Sequence, residues 1–153
     1  MANVYTNYKA KLSTNALTTV YTVPSETTAI VKSIRVSNED TENDCKVSLF
    51  LVDSSSVSYS LEIDRPIEAK RSQELLATGN MAQDTSDGAV TASAPLVAKE
   101  SEVIKAQAQN GNDLSIIISV LEISNTQGEN YAGTTWKKEK RQNGIQNGWW
   151  NDV

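Results

Sequence analysis

The chain has 153 residues, of which 39% are hydrophobic and 22% charged, and this suits one globular domain with an appendage rather than a disordered chain. Its net charge of −5 argues against a nucleic-acid binder held by phosphate contacts. Histidine is absent and Cys45 is the single cysteine, which excludes the usual general base, a cysteine zinc site and an internal disulfide.

The first part of the chain predicts three strands. Residues 4–12 alternate apolar and polar side chains, as a half-buried strand does. The stretch Leu17–Ser37 predicts a hairpin, with two strands rich in Val, Thr and Ile and a tight turn at Pro24. Strict alternation places apolar residues of the second strand on both faces, Ala29 and Val31 on one and Ile30, Ile34 and Val36 on the other. We therefore expect a sandwich interior or a subunit contact to cover both sides there.

Residues 37–44 form a run of eight polar residues that predicts a solvated loop. Its four carboxylates belong to Glu39, Asp40, Glu42 and Asp44. They raise the alternative of a calcium site, because hard cations take oxygen ligands. The run lacks the ligand order and the glycine of an EF-hand, so we interpret it as an acidic loop.

The middle of the chain predicts a hairpin and then less regular segments. Cys45–Asp53, in which Cys45 is expected to be a core residue, and residues 57–63 alternate cleanly on either side of a serine turn. Asp64-Arg65-Pro66 is expected to break the chain. Residues 67–78 are predicted to be extended, with a short helix as the alternative, and residues 78–95 to form a long surface loop or insertion.

The last predicted strands flank an Asn-Gly pair at residues 110–111, which is the strongest short hairpin signal. Residues 113–124 carry apolar side chains on both faces and predict a central strand. Around nine strands joined by short turns, with no convincing helix, predict an all-β domain over residues 1–124. We expect a β-sandwich of jelly-roll type.

Residues 125–153, here called the C-terminal arm, are rich in Gly and Asn and lack the alternation of a strand. Trp and Tyr dominate the energetics of protein interfaces, and the arm holds all three tryptophans of the chain. We interpret the arm as an extension for subunit contacts; the alternative is an arm folded back on its own domain. Its expected interface residues are aromatic and basic: Tyr131, Trp136, Lys137, Lys138, Lys140, Arg141, Trp149 and Trp150.

No motif of enzyme chemistry is present: the sequence has no dinucleotide fingerprint, P-loop or nucleophile elbow. Glu62 and Asp64 fall on one face of a predicted strand, an arrangement that more often marks a solvated face than a hydrolytic pair. We expect no catalytic residue, no metal and no cofactor. The basic run at residues 137–141 contains an internal Glu, so pairing with acidic loops of a neighbouring chain is a simpler account than nucleic-acid binding.

No apolar signal region or membrane-spanning run occurs in the sequence, so we expect neither secretion by a signal peptide nor a membrane partner.

Two stretches resemble a known family. YKAKLSTNALTTVYTVPSETTAIVKSIRVSNED and NDLSIIISVLEIS are similar to the opening and the last strand of small virion structural proteins of tailed phages that infect marine bacteria, cyanophages in particular. The resemblance covers about residues 7–124 and leaves out the C-terminal arm.

The resemblance implies a non-enzymatic component of a phage particle with a β-sandwich fold and symmetric self-assembly. Its place would be capsid decoration or a neck or tail accessory position, and its partners other virion proteins and itself as a homo-oligomer. Such a protein is made in the host cytoplasm and ends in the virion. Two alternatives remain: a carbohydrate-binding or host-surface-binding module that uses Trp149 and Trp150, and a hydrolase on a jelly-roll scaffold.

Overall fold

The computed structural model describes residues 3–78, 92–93, 95–109 and 113–125. These residues form strands joined by turns and contain no helix. The eleven strands of the described part are β1 (Asn3–Leu12), β2 (Thr18–Thr22), β3 (Thr27–Asn38), β4 (Cys45–Val52), β5 (Ser58–Ile67), β6 (Ser72–Glu74), β7 (Ala77–Thr78), β8 (Ala92–Ser93), β9 (Leu96–Ala98), β10 (Val103–Ala108) and β11 (Leu114–Ser124).

The strands make two larger antiparallel sheets and one short pair. The first sheet has the order β1-β11-β3-β6, with β9 pairing the other end of β3. The second sheet has the order β2-β10-β4-β5, and β7 pairs β8 separately. The all-β prediction is therefore confirmed, and so is the prediction that residues 113–124 hold a central strand, because β11 lies between β1 and β3.

The core is aliphatic and draws residues from both larger sheets. The first sheet contributes Ile116, Ile118, Val31 and Val36 to the core, and the second sheet contributes Ile104. Cys45 is buried in the same core, as predicted. Burial of apolar surface is worth roughly 25 cal/mol per Å², so this shared interior is what holds the two sheets together.

A β-bulge in β3 corrects the predicted faces of that strand. Ser33 lies opposite Ser119 of β11 and Val31 lies opposite Val120, which leaves Lys32 as an extra residue. The bulge shifts the alternation by one residue. Ala29 and Val31 before it and Ile34 and Val36 after it therefore all face the core with 0% exposure. The apolar residues that seemed to occupy both faces of β3 therefore lie mostly on its inward face, because the bulge shifts the alternation. Of these five residues only Ile30 faces outward.

The strands predicted within Leu17–Ser37 are present, but the predicted hairpin is wrong. β2 pairs β10 in the second sheet, whereas β3 pairs β11 in the first. The turn at Pro24 carries the chain from one sheet to the other. The hairpin predicted at Asn110-Gly111 is wrong for the same reason, because β10 and β11 belong to different sheets. Turn residues indicate that the chain reverses, not which strand becomes the partner.

The hairpin predicted for the middle of the chain is confirmed, since β4 pairs β5. The predicted break at Asp64-Arg65-Pro66 is wrong, because β5 continues through it to Ile67. β5 remains paired with β4 across this segment, with two register shifts between the strands and a positive φ of 49° at Asp64. Pro66 is tolerated because β5 is an edge strand.

The extended conformation predicted for residues 67–78 is confirmed by β6 and β7. The predicted surface loop, residues 78–95, falls largely outside the described residues, although β7 and β8 pair across it.

Candidate functional site

The outward face of the first sheet carries a row of apolar side chains, here called the apolar row. Tyr5 of β1 lies opposite Leu121 of β11, Leu121 opposite Ile30 of β3, and Ile30 opposite Val97 of β9. Residues aligned in this way point to the same side of a sheet. With strands about 4.8 Å apart, the row spans roughly 14 Å.

The apolar row is open to solvent at its two ends. Tyr5 is 72% exposed and Val97 is 55% exposed, while Ile30 and Leu121 between them are half-buried by their neighbours. The inward neighbours of the row include Ala29, Val120 and Ala98, which are buried. One face of this sheet therefore packs in the core, and the opposite face is apolar along the line of aligned residues that forms the apolar row.

Polar side chains separate the apolar row from the other end of the outward face. The next aligned level consists of Asn7, Ser119 and Ser33. Beyond it lie Lys9 and Arg35, on either side of Ile117. The apolar row thus has a polar border on this side, and a border of this kind is typical of an interaction surface. On its other side Ile123 lies between Asn3 and Thr28.

A phenol–carboxylate cluster closes the core behind the apolar row. Tyr8 Oη donates to Glu122 Oε1 at 2.6 Å, and Tyr21 Oη donates to the same oxygen at 3.0 Å. The two rings have centroids 4.4 Å apart and a tilt of 43°. Because Tyr8 and Glu122 belong to the first sheet and Tyr21 to the second, the cluster links the sheets near the end of β11.

Both phenols of this cluster are held in the neutral state. The hydrogen bond to Glu122, with burial and the carboxylate charge, raises the pKa of Tyr8 to about 12. Burial, followed by the hydrogen bond to Glu122, raises the pKa of Tyr21 far above its usual range. Through Glu122 the two hydrogen bonds connect the first sheet to the second, so the cluster contributes to the stability of the fold. Sequence reasoning missed Glu122, although its place on the inward phase of β11 was a signal.

The acidic loop distributes its carboxylates among separate partners. Asp40 Oδ1 accepts the backbone N–H of Glu42 at 2.8 Å and that of Asn43 at 3.1 Å. These N–H groups lower the pKa of Asp40. Glu39 is bonded to Lys11, and Asp44 accepts the N–H of Ala69 at 3.0 Å.

Among the described residues, no three Asp, Glu, Cys or His side chains lie together so that they could hold a metal ion. The carboxylates of the loop are bonded within the loop and to Lys11 and Ala69.

The predicted carboxylate pair on β5 is also divided between partners. Glu62 lies 3.9 Å from the guanidinium of Arg65, and Asp64 Oδ1 accepts a hydrogen bond from the Ser48 hydroxyl at 3.4 Å. The bulges in this strand remove the strict alternation on which the one-face prediction depended.

A small polar pocket of about 180 Å³ lies at Asp64 on the second sheet. Its described lining consists of Asn15, Ser48, Asp64, Gln107, Ala108 and Gln109 and includes no aromatic side chain. The Gln107 amide already donates to the Asn15 carbonyl at 2.8 Å.

The eight interface residues predicted in the C-terminal arm, from Tyr131 to Trp150, lie outside the described residues, as does the arm beyond Asn125. The position where the chain leaves the sheet is defined. The Asn125 N–H donates to the Glu26 carbonyl at 2.7 Å, and its side-chain amide donates to Thr28 Oγ1 at 3.1 Å. The arm therefore starts at the end of the first sheet, four residues beyond Leu121 of the apolar row.

Comparison of the chain with protein-family models, with curated proteins and with solved structures finds no match. In the described part of the chain, no helix has the length and hydrophobicity needed to cross a membrane.

Proposed function

We propose that this protein is a non-enzymatic structural component of a tailed phage particle, which assembles with other virion proteins and with itself. The virion assignment rests on the resemblance of residues 7–124 to small virion structural proteins of marine phages. The apolar row is the observation that carries the assembly role, because exposed apolar surface with a polar border marks interaction sites. Capsid decoration and a neck or tail accessory position both suit such a component.

The order of the strands supports a jelly-roll for the domain. Successive long strands alternate between the two larger sheets, and β4–β5 is the single hairpin within either of them. β1 and β11, from opposite ends of the described chain, lie side by side, as do β2 and β10. Such nesting of outer strands around inner ones is typical of jelly-rolls, which occur in viral capsid domains and in lectins. Fold alone does not assign function, so the proposed assembly role depends on the apolar row and not on the fold.

The C-terminal arm supplies the second half of the assembly proposal. Its aromatic residues, Trp136, Trp149 and Trp150 among them, contact neighbouring subunits, and its basic residues pair with acidic loops such as residues 39–44. An acidic body and a basic arm suit this arrangement, since residues 125–153 carry four basic and three acidic side chains.

Mass spectrometry of purified particles tests the function directly. We expect peptides of this chain at a fixed copy number, in the hundreds for a shell position or in a small multiple of the tail symmetry for a neck or tail position. A chain that is made during infection but absent from purified particles would contradict the proposal. Particles treated with high salt provide the control against loose adsorption, because exposed charge contacts are screened there.

A carbohydrate-binding module of the virion is the second candidate, and the polar pocket at Asp64 is the observation that favours it. Amide, hydroxyl and carboxylate groups such as those of Asn15, Ser48 and Asp64 suit sugar hydroxyls. A glycan array tests this candidate. Binding that Asp64→Ala abolishes would support it, and an array without any signal would dispose of it.

A further inference from the structure

We propose that the apolar row is the docking surface for the C-terminal arm of a second copy of this chain. The inference rests on the proposed assembly function and names the partner of the same surface. Residues 126–153 of one copy would place aromatic side chains across Tyr5, Leu121, Ile30 and Val97 of its neighbour.

The surface needs an apolar occupant. Four apolar side chains on four adjacent strands form a continuous band, and its ends at Tyr5 and Val97 are more than half exposed. No charged residue interrupts the row. The exposed Lys32, the extra residue of the bulge in β3, borders it beside Ser33, and Lys9 and Arg35 lie one level further away. Large, rigid aromatic side chains are the groups that contribute most when they cover such a band.

The arm has the length to reach such a band on a neighbour. It begins at Asn125, which is fixed to Glu26 and Thr28 at the end of the first sheet. An extended chain covers roughly 3.3 Å per residue, so Tyr131 lies within about 20 Å of Asn125 and Trp136 within about 36 Å. The row itself spans only roughly 14 Å, so one arm can cross it completely.

The direction of β11 favours a neighbour over the same copy. From Leu121 to Asn125 the strand runs away from the apolar row toward the end of the sheet. To cover the row of its own copy the arm would have to reverse direction beyond Asn125, whereas the row of a neighbour could be reached without that reversal. Exchange of such arms between copies also gives a repeating contact, as symmetric assembly requires.

The tryptophans allow a direct test with the full-length chain. All three tryptophans of the protein are in the arm, so tryptophan emission reports on the arm alone when excited where tyrosine does not absorb. If arms dock on neighbouring copies, the emission maximum shifts to shorter wavelength as protein concentration rises, because the indole rings leave water. Light scattering on the same samples measures the mass of the assembly.

Matched variants identify the surface. Tyr5→Asp with Val97→Asp places two charges on the apolar row, at residues that are 72% and 55% exposed. Tyr59→Asp with Ile63→Asp is the control on the second sheet, at residues that are 53% and 55% exposed. We expect the first pair of substitutions to raise the protein concentration at which the emission shift is half complete at least tenfold. The control pair should leave that concentration unchanged. A cooperative unfolding transition at a concentration too low for association shows that either variant is folded.

Each other outcome overturns the inference in a distinguishable way. A short-wavelength emission that does not depend on concentration means that the arm covers its own copy. An equal loss in both variants means that the apolar row is not the docking surface. If Trp136→Ser with Trp149→Ser and Trp150→Ser abolishes association while Tyr5→Asp with Val97→Asp does not, the arm assembles subunits through another surface. In that last case the proposed function survives and the inference fails.

Discussion

Asn38 shows how a single buried polar side chain fixes three segments of the chain. It is 3% exposed at the end of β3. Its amide donates to the carbonyls of Asn43 at 2.9 Å and Ile67 at 3.0 Å, and its Oδ1 accepts the N–H of Asp40 at 3.0 Å. Every polar group of the side chain is satisfied, so this residue ties the acidic loop and the end of β5 to the first sheet.

Asn38→Asp is expected to destabilise the protein by roughly 2–4 kcal/mol at neutral pH, because a carboxylate would replace the donor that two carbonyls accept from. Urea unfolding at pH 7 measures this loss. Lowering the pH should recover part of it, since a protonated Asp can donate to one carbonyl again. Asn7→Asp, on an exposed position of β1, is the control and should change the midpoint little. Equal stability of the two variants would contradict the role of Asn38.

The pKa of Tyr8 gives a prediction for alkaline pH. Its folded value of about 12 lies above the ordinary value of 10.0, so the folded state holds the phenolic proton more tightly. The stability that this provides is fully present below about pH 10 and is lost as the pH rises through about 12. Urea midpoints between pH 9 and pH 11 should therefore fall in the native chain. Tyr8→Phe lacks this titration and should show a smaller fall, although it starts about 1 kcal/mol less stable. An identical pH dependence in both proteins would argue against the Tyr8–Glu122 hydrogen bond.

At the level of elements, β3 has two neighbours on the edge opposite β11. β9 pairs residues 29–31 and β6 pairs residues 35–37, so the three residues between them have no strand beside them on that side. Glu74 fills this interval, since its side chain accepts the Ile34 N–H at 2.6 Å and bonds the Ser33 hydroxyl. The Leu75 N–H donates to the Ile34 carbonyl at 2.8 Å, so the polar groups of Ile34 are satisfied on this edge.

Deleting Lys32 should leave a folded protein. Without the extra residue, Val31 and Ile34 still face inward by ordinary alternation, so the core keeps its side chains. Deleting Arg35 instead turns Val36 outward and should cost more than about 3 kcal/mol, as the loss of a large core side chain does. Circular dichroism and urea midpoints of the two deletion variants test this contrast. A Lys32 deletion as damaging as the Arg35 deletion would show that the bulge is needed for folding.

The sequence predicted the strands better than their partners. Alternation located β1, β4, β5 and β11 because it reports which faces are buried. It could not assign β2 and β3 to different sheets, since partner choice is made by contacts far apart in the chain. The apolar row was visible in part, because Leu121 and Ile30 broke the one-faced pattern of their strands. Tyr5 and Val97 join the row only through register, which no local pattern contains.

At the level of the whole molecule, the topology makes the domain depend on contacts between its two ends. β1 and β11 pair along their full lengths, from Asn3 opposite Ile123 to Leu12 opposite Leu114. β2 and β10 repeat this arrangement in the second sheet. Such distant pairings form late and together, so we expect slow, cooperative folding rather than independent folding of either sheet.

The chain ending at Asn125 tests the arm at this level. It keeps all eleven described strands and the residue that fixes the end of β11, so it should unfold cooperatively. If neighbouring copies exchange arms, binding stabilises the native state by mass action, and the unfolding midpoint of the full chain rises with protein concentration. A tenfold increase well above the dissociation constant adds about 1.4 kcal/mol, or roughly 3–6 °C for a domain of this size. The shortened chain should show no such dependence.

The control for this experiment is the full chain with Trp136→Ser, Trp149→Ser and Trp150→Ser, which keeps the length of the arm and removes its tryptophans. Differential scanning calorimetry at three concentrations compares the three proteins. Only docking between copies depends on concentration. If the midpoint of the full chain exceeds that of the shortened chain by the same amount at every concentration, the arm is docked on its own domain. A midpoint that rises with concentration in all three proteins would mean that the copies associate through the sandwich without the arm.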